Sequence, residues 1–177
     1  MINEFAFFVS ELKNVKRSGW KDKLNISDGE SVADHTYTMT ILGMVISDLH
    51  GLNTEKIMRM SLLHDLAESI TGDMMPDQIT KDEKYMKENN AIRTILGKLP
   101  NKLTKMYSKI WDELQKKESD EAKFVHELDK LEMLIQAKSY QKSGIDKEKI
   151  KPFLDSAIND ITTEQMKKIL KKFIELP

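Results

Sequence analysis

The 177-residue chain contains no cysteine, so disulfides and thiolate metal sites are excluded and any bound metal must be held by histidine, aspartate or glutamate. Seven glycines and four prolines are few for this length, which argues against an all-β chain with its many turns. Neither sign of charge dominates. Lys plus Arg number 28 against 29 Asp plus Glu, so no basic surplus marks a nucleic-acid or membrane-surface protein. No apolar run is long enough to span a bilayer. The first residues, MINEFAFFVS, lack a basic stretch and carry Glu4, so they do not read as a signal peptide. The expectation is a cytoplasmic protein with no nucleic-acid and no membrane partner. Repeats, low-complexity stretches and convincing strands are all missing.

What is present is helical periodicity. Ile2, Phe5, Phe8, Val9, Leu12 and Val15 have the spacing of one buried helix face over residues 2–16. Residues 17–30 break the pattern and read as a loop carrying Arg17 and Trp20. Arg17 capping the first helix and Trp20 plugging the core edge is the simplest reading of that loop; a cation and a flat ring offered to a ligand is the other. Ser31 and Asp34 form a capping-box start for a helix that runs to His50 and stops at Gly51. Asn53 caps a central helix expected to end near Gly72, with a loop over residues 73–79 that contains Pro76. Thr80 and Glu83 open a helix to about Leu96, and Leu103 to Leu114 mark the next, with Trp111 in the core. Ser119 opens a long helix to about Ser143, Pro152 suits the first position of a short helix, and Thr162 with Gln165 caps a last one. The fold class is therefore all-α, a bundle of about six to eight helices. The length fits a single domain over 1–177, with a core of about 1–143 and a C-terminal helical tail of about 145–177.

The chemistry concentrates in LLHDLAESITG at 62–72. His64 and Asp65 are adjacent on the central helix, and neighbouring helical side chains diverge by about a quarter turn, which suits two positions around one ion. Glu68, four residues after His64, is expected on the same face, with Asp73 on the exit turn. A buried histidine paired with an acid, plus a surface glutamate, fits the stretch equally well. His35 in the first turn of its helix is a reasonable ligand position, although such a residue is more often partly exposed. Asp129 stands in mid-helix beside an apolar stripe, where it should face outward unless it is used.

Taken together, His35, His64-Asp65 and Asp129, each on a separate helix, resemble the H…HD…D signature of the HD-domain metal-dependent phosphohydrolases. SVADH at 31–35, LLHDLAESITGD at 62–73, EAKFVHELDKLE at 121–132 and KRSGW at 16–20 resemble more narrowly the 5′-deoxynucleotidase branch, the HD-domain-containing 5′-nucleotidases. The resemblance covers the chain from its first helix to about Tyr140.

That resemblance implies that His35, His64, Asp65 and Asp129 hold one divalent cation. Two imidazole nitrogens and two carboxylate oxygens suit a transition metal, Mn, Co, Fe, Ni or Zn, and are too nitrogen-rich for Ca and unattractive to Mg. It further implies that Glu68 activates the attacking water, that Asp73 protonates the leaving 5′-oxygen, that Arg17 clamps the phosphate and that Trp20 walls the sugar. The implied activity is metal-dependent hydrolysis of (deoxy)ribonucleoside 5′-monophosphates, deoxy forms preferred, to nucleoside and phosphate. In some bacterial members the Arg and Trp are adjacent, whereas Ser18 and Gly19 separate them here, as in the KRxGW-type relatives. His50 and His126 form no second pair, so one metal is expected. Lys84 and Lys123 could also reach the phosphate, but a solvated face is the simpler reading of both. Two alternatives remain: hydrolysis of a nucleoside polyphosphate (an NTP or (p)ppGpp), which calls for more cations than the motifs carry, and a non-catalytic binding module stabilised by metal. The relatives are usually dimers, and the apolar run Phe5–Val9 suits either a homodimer interface or the core.

Overall fold

The computed structural model describes residues 2–75 and 77–175. Ten helices occur among them: α1 (Ile2–Glu11), α2 (Ser18–Leu24), α3 (Val32–His50), α4 (Thr54–Leu63), α5 (Glu68–Thr71), α6 (Lys81–Leu96), α7 (Asn101–Lys116), α8 (Asp120–Lys142), α9 (Lys147–Asp160) and α10 (Glu164–Ile174). The only β-pairing among the described residues is an isolated antiparallel bridge between Lys16 and Ser31. The fold is all-α as the periodicity predicts, with more helices than six to eight for two local reasons.

First, the segment expected as a loop coils into α2. The Arg17 amide donates to the Glu30 carbonyl and the Val32 amide to the Val15 carbonyl, so residues 15–17 lie extended beside 30–32. This pairing ends α1 early and launches α2. Second, the central helix is not continuous. After Leu63 the backbone tightens, with Leu66 N–H bonding to Leu63 O, Glu68 to Asp65 O, Ser69 to Leu66 O and Ile70 to Ala67 O. These i→i+3 bonds wind about 3.0 residues per turn instead of 3.6. Glu68 therefore stacks over Asp65 rather than over His64, a shift from the α-helical expectation.

Both predicted capping boxes form, Ser31 with Asp34 and Thr80 with Glu83. Two terminal expectations change. Pro152 lies inside α9, whose N-cap is Asp146. The last helix is capped by Thr163 instead of Thr162: both threonines give amide and hydroxyl to the Glu127 carboxylate, and Thr163 Oγ1 also accepts the Met166 amide. Pro76, expected in the loop after α5, lies outside the described residues.

Helix α8 is the central strut. Its Leu128, Leu131 and Leu134 pack with Met39, Ile57, Met60, Ala157, Met166 and Leu170, so α9 and α10 share a core with α3 and α4. A second cluster joins Leu12, Val32, Leu63, Ile92, Ile95 and Trp111, the last buried as expected. A third joins Trp20, Leu24, Ala137, Ile150 and Phe153. Gly43 sets the spacing of α3 and α8, since a Cβ there would lie 2.7 Å from Leu128 Cδ2. That close approach brings the first turn of α3, the end of α4 and the middle of α8 to one point. No helix among the described residues is long and apolar enough to cross a membrane.

Candidate metal centre

His35 from α3, His64 at the C-cap of α4, Asp65 from the tight turn and Asp129 from α8 converge. The two Nε2 atoms are 3.2 Å apart. His35 Nε2 is 3.3 Å from Asp129 Oδ1 and 3.7 Å from Asp65 Oδ2, and His64 Nε2 is 3.0 Å from Asp65 Oδ2. One donor atom each from His35, His64 and Asp129 lies within 4.8 Å of the others, a spacing that could hold an ion.

The ring orientations also fit a cation. His64 Nδ1 faces the Ser61 carbonyl at 2.6 Å and donates to it, and His35 Nδ1 meets Glu132 Oε2. With both Nδ1 atoms protonated, two bare Nε2 lone pairs point at each other across 3.2 Å, an arrangement that calls for a positive charge between them. Burial and Arg17 press the His35 pKa down, but Asp129 and Glu132 outweigh them and lift it to about 9. Burial raises both aspartates, yet His64, His35 and Arg17 more than offset it at Asp65, and Lys130, His35 and Arg17 at Asp129, so both pKa values fall below the usual carboxylate range.

Arg17 stands over this centre, 3.5 Å from Asp65 Oδ2 and 3.8 Å from Asp129 Oδ1. Burial opposes its charge, and Asp129, Asp65, Asp73 and Glu68 more than offset that. Asp73 Oδ2 accepts the Ser18 amide at 2.7 Å, while Ser18 Oγ donates to the Asp73 carbonyl at 2.8 Å. These two bonds tie the exit turn to the start of α2 and complete the neighbourhood of Arg17.

Glu68 is buried, and its Oε2 has no hydrogen-bond partner among the described residues. Burial, then the negative charges of Asp65 and Asp73, push its pKa well above the usual carboxylate range. A buried, unpartnered carboxyl oxygen is costly, and such perturbed acids cluster at functional sites.

Arg17, Asp65, Glu68, Asp73 and Asp129 line a cavity of about 260 Å³, whose farther wall includes Trp20, Met75, Met133 and Phe153. Trp20 is 2% exposed and shows the cavity only part of its surface. It stacks at 4.5 Å on Phe153, packs edge-on to Tyr140 and donates Nε1–H to Glu30. Core plug and cavity wall are thus the same residue.

Sequence reasoning missed several neighbours. Lys84 lines the cavity instead of being solvated, because its ammonium donates to the Met74 carbonyl across the loop. Lys130, 3.0 Å from Asp129, lines it too. Glu132 and Glu30 lie behind His35, and Glu132, one turn after Asp129 on α8, had a legible signal in that i,i+3 spacing. Lys123 is a surface residue near Asp120, as expected. His126 bonds to the Leu114 carbonyl and is a satisfied histidine.

The HD domain family profile matches residues 9–172. A human protein named 5′-deoxynucleotidase HDDC2 is 40% identical over 154 residues, 86% of this chain and 74% of that protein. A Saccharomyces cerevisiae protein named 5′-deoxynucleotidase YGK1 is 34% identical over 176 residues, 97% of this chain and 80% of that protein. Among solved structures, a Pyrococcus horikoshii protein superposes with a TM-score of 0.80 at 26% identity, covering 98% of each chain.

Proposed function

The chain belongs to the HD domain family, and from that membership and the geometry of its centre we propose that it is a metal-dependent 5′-nucleotidase that converts nucleoside 5′-monophosphates, deoxy forms preferred, to nucleoside and orthophosphate. The single observation that carries the reading is Glu68, an uncompensated buried acid beside three metal-type donors, from His35, His64 and Asp129, with Asp65 3.0 Å from His64. A structural ion has no use for it. In this reading His35, His64, Asp65 and Asp129 hold one divalent transition-metal ion, Mn, Co, Fe, Ni or Zn. Such an ion, when bound, supplies an acidified water and offsets charge on the phosphoryl group.

The protein's own groups do the rest. Glu68, with its raised pKa, takes the proton of the attacking water as the new P–O bond forms. Arg17 exchanges its contacts with Asp65 and Asp129 for the substrate phosphate, whose oxygens its planar fork can bind in pairs. As the P–O5′ bond breaks, the leaving 5′-oxygen gains its proton through Asp73, fixed by Ser18, which relays to it the proton that Glu68 took from the water. Trp20, held by Phe153, Tyr140 and Glu30, is a rigid wall for the sugar, and a rigid wall discriminates a 2′-hydroxyl better than a mobile one. Lys84 and Lys130 add cations to the cavity, but each already sits near an acid, Glu88 at 3.5 Å and Asp129 at 3.0 Å. They therefore give little support to a polyphosphate substrate.

Arg17→Lys tests the phosphate clamp. A lysine keeps the charge and loses the paired donors. The expected result is a KM for dAMP raised about tenfold, about 1.4 kcal/mol, with the dAMP-to-AMP preference unchanged. An unaltered KM would remove Arg17 from substrate binding.

Self-association is part of the same proposal. Tyr37, Ile41, Val45 and Leu49 form an exposed apolar row at i,i+4 spacing on α3, with Leu62 of α4 and Phe7 of α1 also exposed. Phe5 and Phe8 pack against the second core cluster, which leaves the α3 row as the better homodimer face. A monomer in sedimentation velocity at micromolar concentration would discard it.

A further inference from the structure

His35 offers its two ring nitrogens to two different environments. Nε2 faces His64 and Asp129 at 3.2 and 3.3 Å. Nδ1 faces Glu132, which is 1% exposed and whose ion-pair partner among the described residues is His35. Asp129 and Glu132 are three residues apart on α8, so one helix face puts a carboxylate on each side of the same imidazole. The other acid behind the ring, Glu30, is already engaged by Trp20 Nε1 at 2.8 Å. Glu132 is therefore a buried acid that the hydrolytic scheme does not use, and burying a carboxylate for packing alone is unfavourable.

The other histidine supplies the contrast. His64 Nδ1 donates to a backbone carbonyl, that of Ser61, which orients the ring without placing a charge behind it. A carboxylate behind a ligating histidine both fixes its tautomer and makes the far nitrogen a stronger donor. The two histidines of the centre are thus unequal by construction.

We propose that Glu132 is a positioning residue: it holds His35 with Nδ1–H turned toward α8, keeps the Nε2 lone pair aimed at the metal site, and makes His35 the stronger of the two nitrogen ligands. This rests on the metal-site reading given above. In the sequence the pointer to this role is the i,i+3 spacing of Glu132 from Asp129 in HELDKLE.

The test is divalent-cation affinity, measured by titrating Co²⁺ against a competing chelator, for the wild-type protein and for Glu132→Gln. Glutamine keeps the size and an acceptor oxygen but removes the charge. The expected result is affinity weakened about 10- to 100-fold, with turnover largely restored at saturating cobalt. Glu132→Asp, which keeps the charge, should recover part of the loss. Wild type and Glu132→Gln binding cobalt equally would overturn the proposal while leaving the metal reading intact; a wild type that binds no cobalt would instead sink the metal reading. An experiment that needs no variant covers the case in which Glu132→Gln does not fold. In the metal-loaded wild type, the ring ¹⁵N shifts of His35 should report a protonated Nδ1 and an unprotonated Nε2. The opposite tautomer would also overturn the proposal.

Discussion

Replacing Glu68 by glutamine is expected to lower kcat on dAMP by about 10²- to 10⁴-fold while leaving metal affinity within a few-fold of wild type. The reasoning is electrostatic. Glu68 follows Asp65 through the i→i+3 turn but is not among the convergent donors of His35, His64 and Asp129, so the ion should survive its loss. Its burial and the charges of Asp65 and Asp73 raise its proton affinity well above that of an ordinary carboxylate, which suits a proton acceptor. Glutamine cannot accept the water's proton. The same substitution removes an acid crowded by two others, so the metal-free protein should melt at the same temperature or a few degrees higher, since about 1 kcal/mol shifts the midpoint of a domain this size by roughly 2–4 °C. Activity lost and stability held or gained is the signature of a functional acid. Retained turnover would move the base to another residue.

Asp65→Asn should give the complementary pattern, with turnover and metal affinity lost together. Asp65 Oδ2 lies 3.0 Å from His64 Nε2 and 3.5 Å from Arg17, so it serves the ion and the phosphate clamp at once. Losing a ligand carboxylate removes several kcal/mol of electrostatic stabilisation, and at 1.36 kcal/mol per decade kcat/KM should fall by about 10³-fold or more. The fold is not immune, because Arg17 and His35 lose an anion they share. Circular dichroism on the purified variant therefore belongs beside the assay. A folded Asp65→Asn protein that hydrolyses dAMP at the wild-type rate would contradict the scheme. The pair of variants separates two roles within one short stretch: one removes the chemistry and keeps the ion, the other removes both.

Much of this was legible in the residues because local rules and tertiary structure agree. The capping boxes at Ser31 and Thr80 are local hydrogen-bond patterns and form where they read. Trp111 follows the apolar period of its helix and is buried with it. The H…HD…D spacing on three helices does converge. The rest depends on contacts distant in sequence. Helix α2 is short, and what fixes it is the bridge to residues 30–32 and the bond from Ser18 to Asp73, 55 residues away. The break after Leu63 left no proline or glycine to announce it. Lys84 looks solvated on its own helix until a loop carbonyl, that of Met74, turns it into the cavity. Pro152 reads as a helix start, yet Asp146 supplies an earlier one. In each case the deciding partner lies on another element.

The most direct test of the hydrolytic assignment is orthophosphate release from dAMP and AMP by protein stripped of metal and then reloaded separately with Mn²⁺, Co²⁺, Zn²⁺ or Mg²⁺. The geometry predicts no release from the stripped protein, recovery with a transition metal and not with Mg²⁺, and faster release from dAMP than from AMP. Equal release from both nucleotides would take the sugar-selecting role from Trp20 and leave the centre standing. Undiminished release from fully stripped protein, or none from any metal-loaded form, would contradict the assignment itself.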